Sequence, residues 1–164
     1  AGVRGDVLLT VTYSRLAAKQ RLRAWVQLLA LTVDDPTVAW TAETIGRRRS
    51  DVACSLLGPV DPAEAQRVLT DLVALRREGL REPLPLITKT SCLYAEARRR
   101  GSDEEDARAR AADEWGGKFG ERDDPSYRRV WGAPAFDVLP AERFDVLARR
   151  LWEPLLAAER RAAP

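Results

Sequence analysis

Residues 12–32, TYSRLAAKQRLRAWVQLLALT, restrict the folds open to this chain more than any other stretch. From Ala24 to Leu31 the only polar residue is Gln27. A helix that is apolar nearly all round has to be buried over that length. The other half is basic, with Arg15, Lys19 and Arg23 at spacings of four, which stacks them on one helical face. Ser14 is placed to cap the first turn through its hydroxyl. The pattern predicts one long helix, Ser14 to about Thr32, joining a core to a cationic surface.

Shorter elements surround it. Residues 5–12, GDVLLTVT, predict a strand with Val7, Leu9 and Val11 on one face. Asp34-Asp35-Pro36 is a turn. Residues 37–45 alternate, with Val38, Trp40 and Ala42 one way and Thr37, Thr41 and Glu43 the other, as in a half-buried strand. Gly46-Arg47-Arg48-Arg49-Ser50 reads as a basic hairpin tip, and residues 51–57 return as a second strand. Asp61, Pro62 and Glu64 suit the N-cap, N1 and N3 positions of a helix running to Glu78, with Gly79 just past its end. Pro83 and Pro85 make residues 80–87 an extended connector. A helix is expected over residues 91–100. Ser102 then caps another, with Asp103 to Asp106 loading acid onto its N-terminus and Ala107, Ala111 and Trp115 inward. Asp123-Asp124-Pro125 starts a short helix carrying Tyr127 and Trp131. Pro140 opens the last one, with Phe144, Leu147, Leu151 and Leu155 inward and a kink expected before Pro154. This order specifies an α/β (α+β) fold, a small mixed sheet with a helix-rich second half. At 164 residues the chain has the length of a single domain with its own core.

Composition removes several chemistries. There is no histidine, which excludes histidine-based acid–base, triad and metal chemistry. There is no methionine either, so a piece of a longer protein is expected. Cys54 and Cys92 lack metal-binding spacing and fit a reducing, cytoplasmic setting. The longest apolar run, Leu28 to Val33, is far short of the ~20 residues a spanning helix needs. Phosphate-loop, dinucleotide, nucleophile-elbow and zinc motifs are absent. The acids 103–106 lack the alternating ligands and glycine of a calcium loop and suit a helix start, so neither a metal nor another cofactor is expected.

Net charge is only +2, so the distribution of charge carries the information. Arg15, Lys19, Arg21 and Arg23, with Arg47, Arg48 and Arg49, form a candidate phosphate- or subunit-facing group. A solvated face would have the same residues. Thr88-Lys89-Thr90-Ser91 after a Pro-flanked apolar run adds Lys89 as a candidate phosphate contact at a helix N-terminus, against a plain polar cap. Trp115, Tyr127 and Trp131 read as core anchors rather than base-stacking residues.

Tyr13-Ser14-Arg15-Leu16-Ala17-Ala18-Lys19-Gln20-Arg21-Leu22-Arg23-Ala24-Trp25 resembles a signature near the C-terminus of the RecC family, the gamma subunit of exodeoxyribonuclease V (the RecBCD helicase–nuclease). Thr44-Ile45-Gly46-Arg47, then Gly79-Leu80-Arg81-Glu82-Pro83-Leu84-Pro85-Leu86 with Lys89, Ser91 and Tyr94, then Trp115, follow in the family's order. The Ala/Arg-rich composition suits an actinobacterial version. The resemblance implies a degenerate PD-(D/E)XK nuclease-like fold that does not cut DNA. It implies a part in recombinational double-strand-break repair, contact with the RecD and RecB subunits, and help in separating and guiding DNA strands. The residues agree on inactivity. A two-metal site of that kind needs Asp at one strand end and Glu-x-Lys on the next. Glu43 is followed two residues on by Ile45, and Asp51 by Ala53. The alternatives are a standalone nucleic-acid-binding regulator and, third, an active nuclease with a migrated site.

Overall fold

A computed structural model describes residues 1–48, 51–132, 135–139 and 141–162. The chain forms two compact units, Ala1–Arg76 with Pro154–Pro164, and Arg77–Glu153.

The first unit holds a five-stranded sheet in the order β1-β2-β3-β4-β5. Its elements in chain order are β1 (Gly2–Arg4), β2 (Val7–Arg15), α1 (Ala18–Asp34), β3 (Thr41–Arg48), β4 (Asp51–Leu57), α2 (Pro62–Gly79) and β5 (Glu159–Ala162). β2 and β3 are parallel, and the other pairings are antiparallel. A parallel pair needs a crossover, and α1 supplies it. α1 packs on β2, β3 and β4. It buries Ala18, Arg21, Ala24, Trp25, Leu28, Leu29 and Thr32, a stripe at spacings of three and four. On the sheet, the ladder neighbours Leu8, Ala42 and Leu57 are buried together. Each large apolar side chain in this layer stabilises the fold by roughly 1.5–3 kcal/mol relative to exposure.

Several expectations change here. The helix begins at Ala18, because β2 continues to Arg15 to pair with Arg47 of β3. Ser14 is therefore a strand residue. The N-cap is Ala17, whose amide donates to Gln20 Oε1 at 3.3 Å. The long helix is also one-sided, since Val26 is exposed and Leu22 and Leu31 only half-buried. Finally, the buried face of β2 is that of Leu8, while Val11 on the alternate face is 70 % exposed. β3 starts at Thr41, not residue 37, and Arg47 and Arg48 belong to it. Asp61 caps α2 by accepting from Ala63 N (2.9 Å) and Glu64 N (3.1 Å), but Gly79 is taken into the helix.

The second unit is helical, with α3 (Thr88–Arg99), α4 (Glu104–Gly116), α5 (Pro125–Trp131) and most of α6 (Ala141–Ala158), which continues through Pro154. Ala107 and Ala111 pack with Tyr94, Ala97, Phe144 and Ala148. Phe144 makes edge contacts with Tyr94 (centroids 5.5 Å apart) and Phe136 (5.1 Å). Trp115 packs with Ile87 and Leu139, and Tyr127 and Trp131 lie against that cluster. These aromatics are core anchors. Asp124 caps α5 as expected, whereas α4 is capped by Asp103, which accepts from Asp106 N, rather than by Ser102. α3 begins at Thr88, three residues before the expected start at Ser91.

Candidate functional site

The cationic group is assembled where β2 and β3 end side by side. Arg15 and Arg47 are ladder partners, and Leu16 N donates to Arg47 O at 3.0 Å. Arg48 follows on β3, and Lys19 and Arg23 lie one turn apart on the exposed side of α1. The close approach of the β2–α1 junction to β3 depends on Gly46. A Cβ there would sit 3.1 Å from Ser14 O, Leu16 N and Leu16 Cβ. That explains the glycine in Thr44-Ile45-Gly46-Arg47. Like charges placed side by side on adjacent strands repel. Among the described residues no carboxylate lies within 4.0 Å of the Arg15, Lys19, Arg23, Arg47 or Arg48 side chains. The guanidinium of Arg47 instead lies 5.5 Å from the centroid of Tyr13.

Two candidates leave this group, and a third lies elsewhere. Arg21 is a structural residue, because α1 turns it onto the sheet. Its side chain is 2 % exposed and pairs with Glu159, itself 3 % exposed, with Nε donating to Oε1 at 2.7 Å and Nη2 bonded to Oε2. Ser55 Oγ donates to the same carboxylate at 2.6 Å. The pair ties α1 to β4 and β5. Nothing in the sequence marks Arg21 off from Lys19 and Arg23, except that it falls on the apolar stripe. Arg49 lies outside the described residues. Lys89 belongs to the second unit, exposed, with Nζ 3.6 Å from Glu114.

The N-terminus of α3, a candidate phosphate site in the sequence, is filled by an internal anion. The buried carboxylate of Glu121 accepts from Lys89 N (3.0 and 2.9 Å), Thr90 N (2.8 Å) and Thr90 Oγ1 (3.0 Å). A carboxylate is what the positive end of a helix dipole favours.

Glu43 and Asp51, the carboxylates weighed as metal ligands in the sequence, are not brought together. Glu43 Oε1 accepts from the Cys54 thiol at 3.4 Å. Burial first, then the Glu43 hydrogen bond and charge, push that thiol from 9.0 up to about 11. Asp51 is exposed and sits opposite Arg48 in the ladder. Among the described residues no three His, Cys, Asp or Glu side chains are grouped to hold a metal ion. The second unit has a cleft of about 470 Å³ lined by Tyr94, Arg98, Glu104, Asp145, Arg149 and Glu153 among others, which mixes both signs of charge. Burial there raises the Asp145 carboxyl above its usual range, and Arg108, donating to Oδ2 at 2.9 Å, works against it.

Fold and site together define a mixed α/β domain with a cationic edge where the interior strands β2 and β3 end. Residues 1–99 match the RecC C-terminal domain family. The chain is 40 % identical over 172 residues to the RecBCD enzyme subunit RecC of Mycobacterium tuberculosis, covering 96 % of this chain and 16 % of that subunit. It is 40 % identical over 171 residues to the same subunit of Mycolicibacterium smegmatis, again with 96 % and 16 % coverage. The chain belongs to the RecC C-terminal domain family, and it spans about a sixth of the length of these curated relatives. Both organisms are actinobacteria, as the composition led one to expect. Among the described residues no helix is long and apolar enough to cross a membrane.

Proposed function

We propose that this domain is a non-catalytic module of a cytoplasmic RecC subunit, with a degenerate nuclease-like fold, that holds and steers a DNA strand and joins the RecD and RecB subunits. The observation that carries the reading is the cationic edge. Arg15, Arg47 and Arg48 end adjacent strands, Lys19 and Arg23 flank them in sequence on α1, and none has a carboxylate partner among the described residues. Such a group binds phosphates through released counterions. The lack of cutting is supported by Glu43, which is engaged by a thiol, and by Ile45 and Ala53 at the positions where a lysine would be needed.

The test has two arms. Changing Arg15, Lys19 and Arg23 together to alanine should leave the circular dichroism spectrum intact. It should weaken DNA binding and lower the salt slope by about 2, as loss of three phosphate contacts to a single strand requires. Unchanged binding and slope would remove the cationic edge from the proposal. RecD should be retained on the immobilised 164-residue chain, and its failure to bind would remove the subunit contact.

A further inference from the structure

Tyr13 is 89 % exposed, more than any other large apolar side chain among the described residues. It sits in the last part of β2, where the register with β3 shifts between Val11 and Arg15. The Arg47 guanidinium lies 5.5 Å from its ring centroid. Around it, on the sheet face that α1 does not cover, Val11 is 70 % and Val52 50 % exposed. Val52 is the ladder partner of Arg47, and Val11 pairs with Ile45 two residues before it, so these side chains share one face. The result is a small apolar surface with an aromatic ring, bordered by Arg15 and Arg47, which are ladder partners on that face.

An aromatic ring beside arginines that have no carboxylate partner among the described residues, on the sheet face that α1 does not cover, is the chemistry of a base-stacking platform. Every base has a π-face, and the arginines supply both backbone neutralisation and cation–π contact. A protein partner would meet the same arginines as a cost unless it brought carboxylates. A nucleic-acid strand brings a phosphate at every nucleotide. Bases inside a duplex already stack on both sides, so the ring can accept only an unpaired or terminal base. We infer that Tyr13, with Arg47 against it, is a stacking platform for an unpaired base of a DNA strand whose phosphates lie along Arg15 and Arg47. This rests on the reading of the cationic edge as a DNA contact and adds to it the single-stranded form of the ligand and the residue that grips the base.

The experiment measures fluorescence anisotropy of a labelled oligothymidylate of about 16 nucleotides, the upper site size of a single-strand module, with the 164-residue chain. Tyr13→Ala should bind about tenfold more weakly, within the range for one stacked base, with the slope of log K against log salt unchanged. Tyr13→Phe should bind like the wild type. Both variants should keep the wild-type thermal midpoint, since the side chain is exposed. Tyr13→Ala binding as tightly as wild type overturns the inference. If it also releases RecD, the face is a protein contact. Tyr13→Phe binding as weakly as Tyr13→Ala overturns stacking, because the ring is then not what matters. If Tyr13→Ala is silent while the Arg15, Lys19 and Arg23 triple variant is weakened, the platform falls and the cationic edge stands. No binding of any strand by the wild type removes both.

Discussion

Arg21→Ala is the most informative single change in the basic run, because it separates a structural arginine from its contact-making neighbours. In the native unit the Glu159 carboxylate, 3 % exposed, receives Arg21 Nε at 2.7 Å, Arg21 Nη2, and Ser55 Oγ at 2.6 Å. Truncating Arg21 removes the guanidinium from a carboxylate buried in the layer between α1 and the sheet. Breaking a buried pair by deleting one partner costs about 3–5 kcal/mol. In a protein of this size that lowers the thermal midpoint by about 10 °C. Lys19→Ala and Arg23→Ala, on the exposed side of the same helix, should each change stability by no more than ~0.5 kcal/mol. The assay is urea unfolding followed by circular dichroism on the three variants. The double change Arg21→Leu with Glu159→Leu should be less damaging than Arg21→Ala alone, since no charge is then left buried. Arg21→Ala unfolding within ~0.5 kcal/mol of wild type, as Lys19→Ala does, would refute the assignment of Arg21 to the core.

Three further outcomes follow from the same geometry. Gly46→Ala places a methyl 3.1 Å from Ser14 O, Leu16 N and Leu16 Cβ, so urea unfolding should show a loss of about 1–3 kcal/mol as the junction is pushed open. Glu121→Gln removes the charge accepting the Lys89 and Thr90 amides, and chemical denaturation should show a loss of ~1.5–3 kcal/mol, the value of hydrogen bonds to a charged acceptor. Cys54, with its thiol held at about 11 against an ordinary 9.0, should react with iodoacetamide about 100-fold more slowly at pH 8 than an unperturbed thiol, and Glu43→Ala should accelerate it by removing both the hydrogen bond and the charge that help raise it. The sign for stability follows: the folded state holds this proton more tightly than the unfolded chain, so the Cys54 contribution is lost as pH rises from about 9 towards 11.

Much of the fold was legible in local chemistry. Asp61-Pro62 and Asp124-Pro125 carry their helix starts in two residues each, and Ala107, Ala111 and Trp115 fall on one buried face as their spacing requires. The failures share a cause, which is pairing at a distance. Ser14 has the chemistry of a cap, yet Arg15 finds its ladder partner thirty-two positions on at Arg47, and the strand wins. β1 and β5 are short, and β5 begins Glu-Arg-Arg, so no periodicity announces either; each exists because an edge of the sheet is there to receive it. Arg21 reads as one more member of a basic stripe until Glu159, far along the chain, supplies the buried carboxylate. Of the candidate site, Lys19 and Arg23 were readable as an exposed pair. The juxtaposition of Tyr13, Arg15 and Arg47 depends on the parallel register and on Gly46, which sequence spacing alone does not encode.

The measurement that bears most directly on a domain that holds DNA without cutting it is a gel assay with end-labelled linear DNA, Mg²⁺ and the 164-residue chain. The strand should be retarded and remain intact at every time point. Mg²⁺-dependent shortening of the DNA, abolished by Glu43→Ala or Asp51→Ala, would contradict the account.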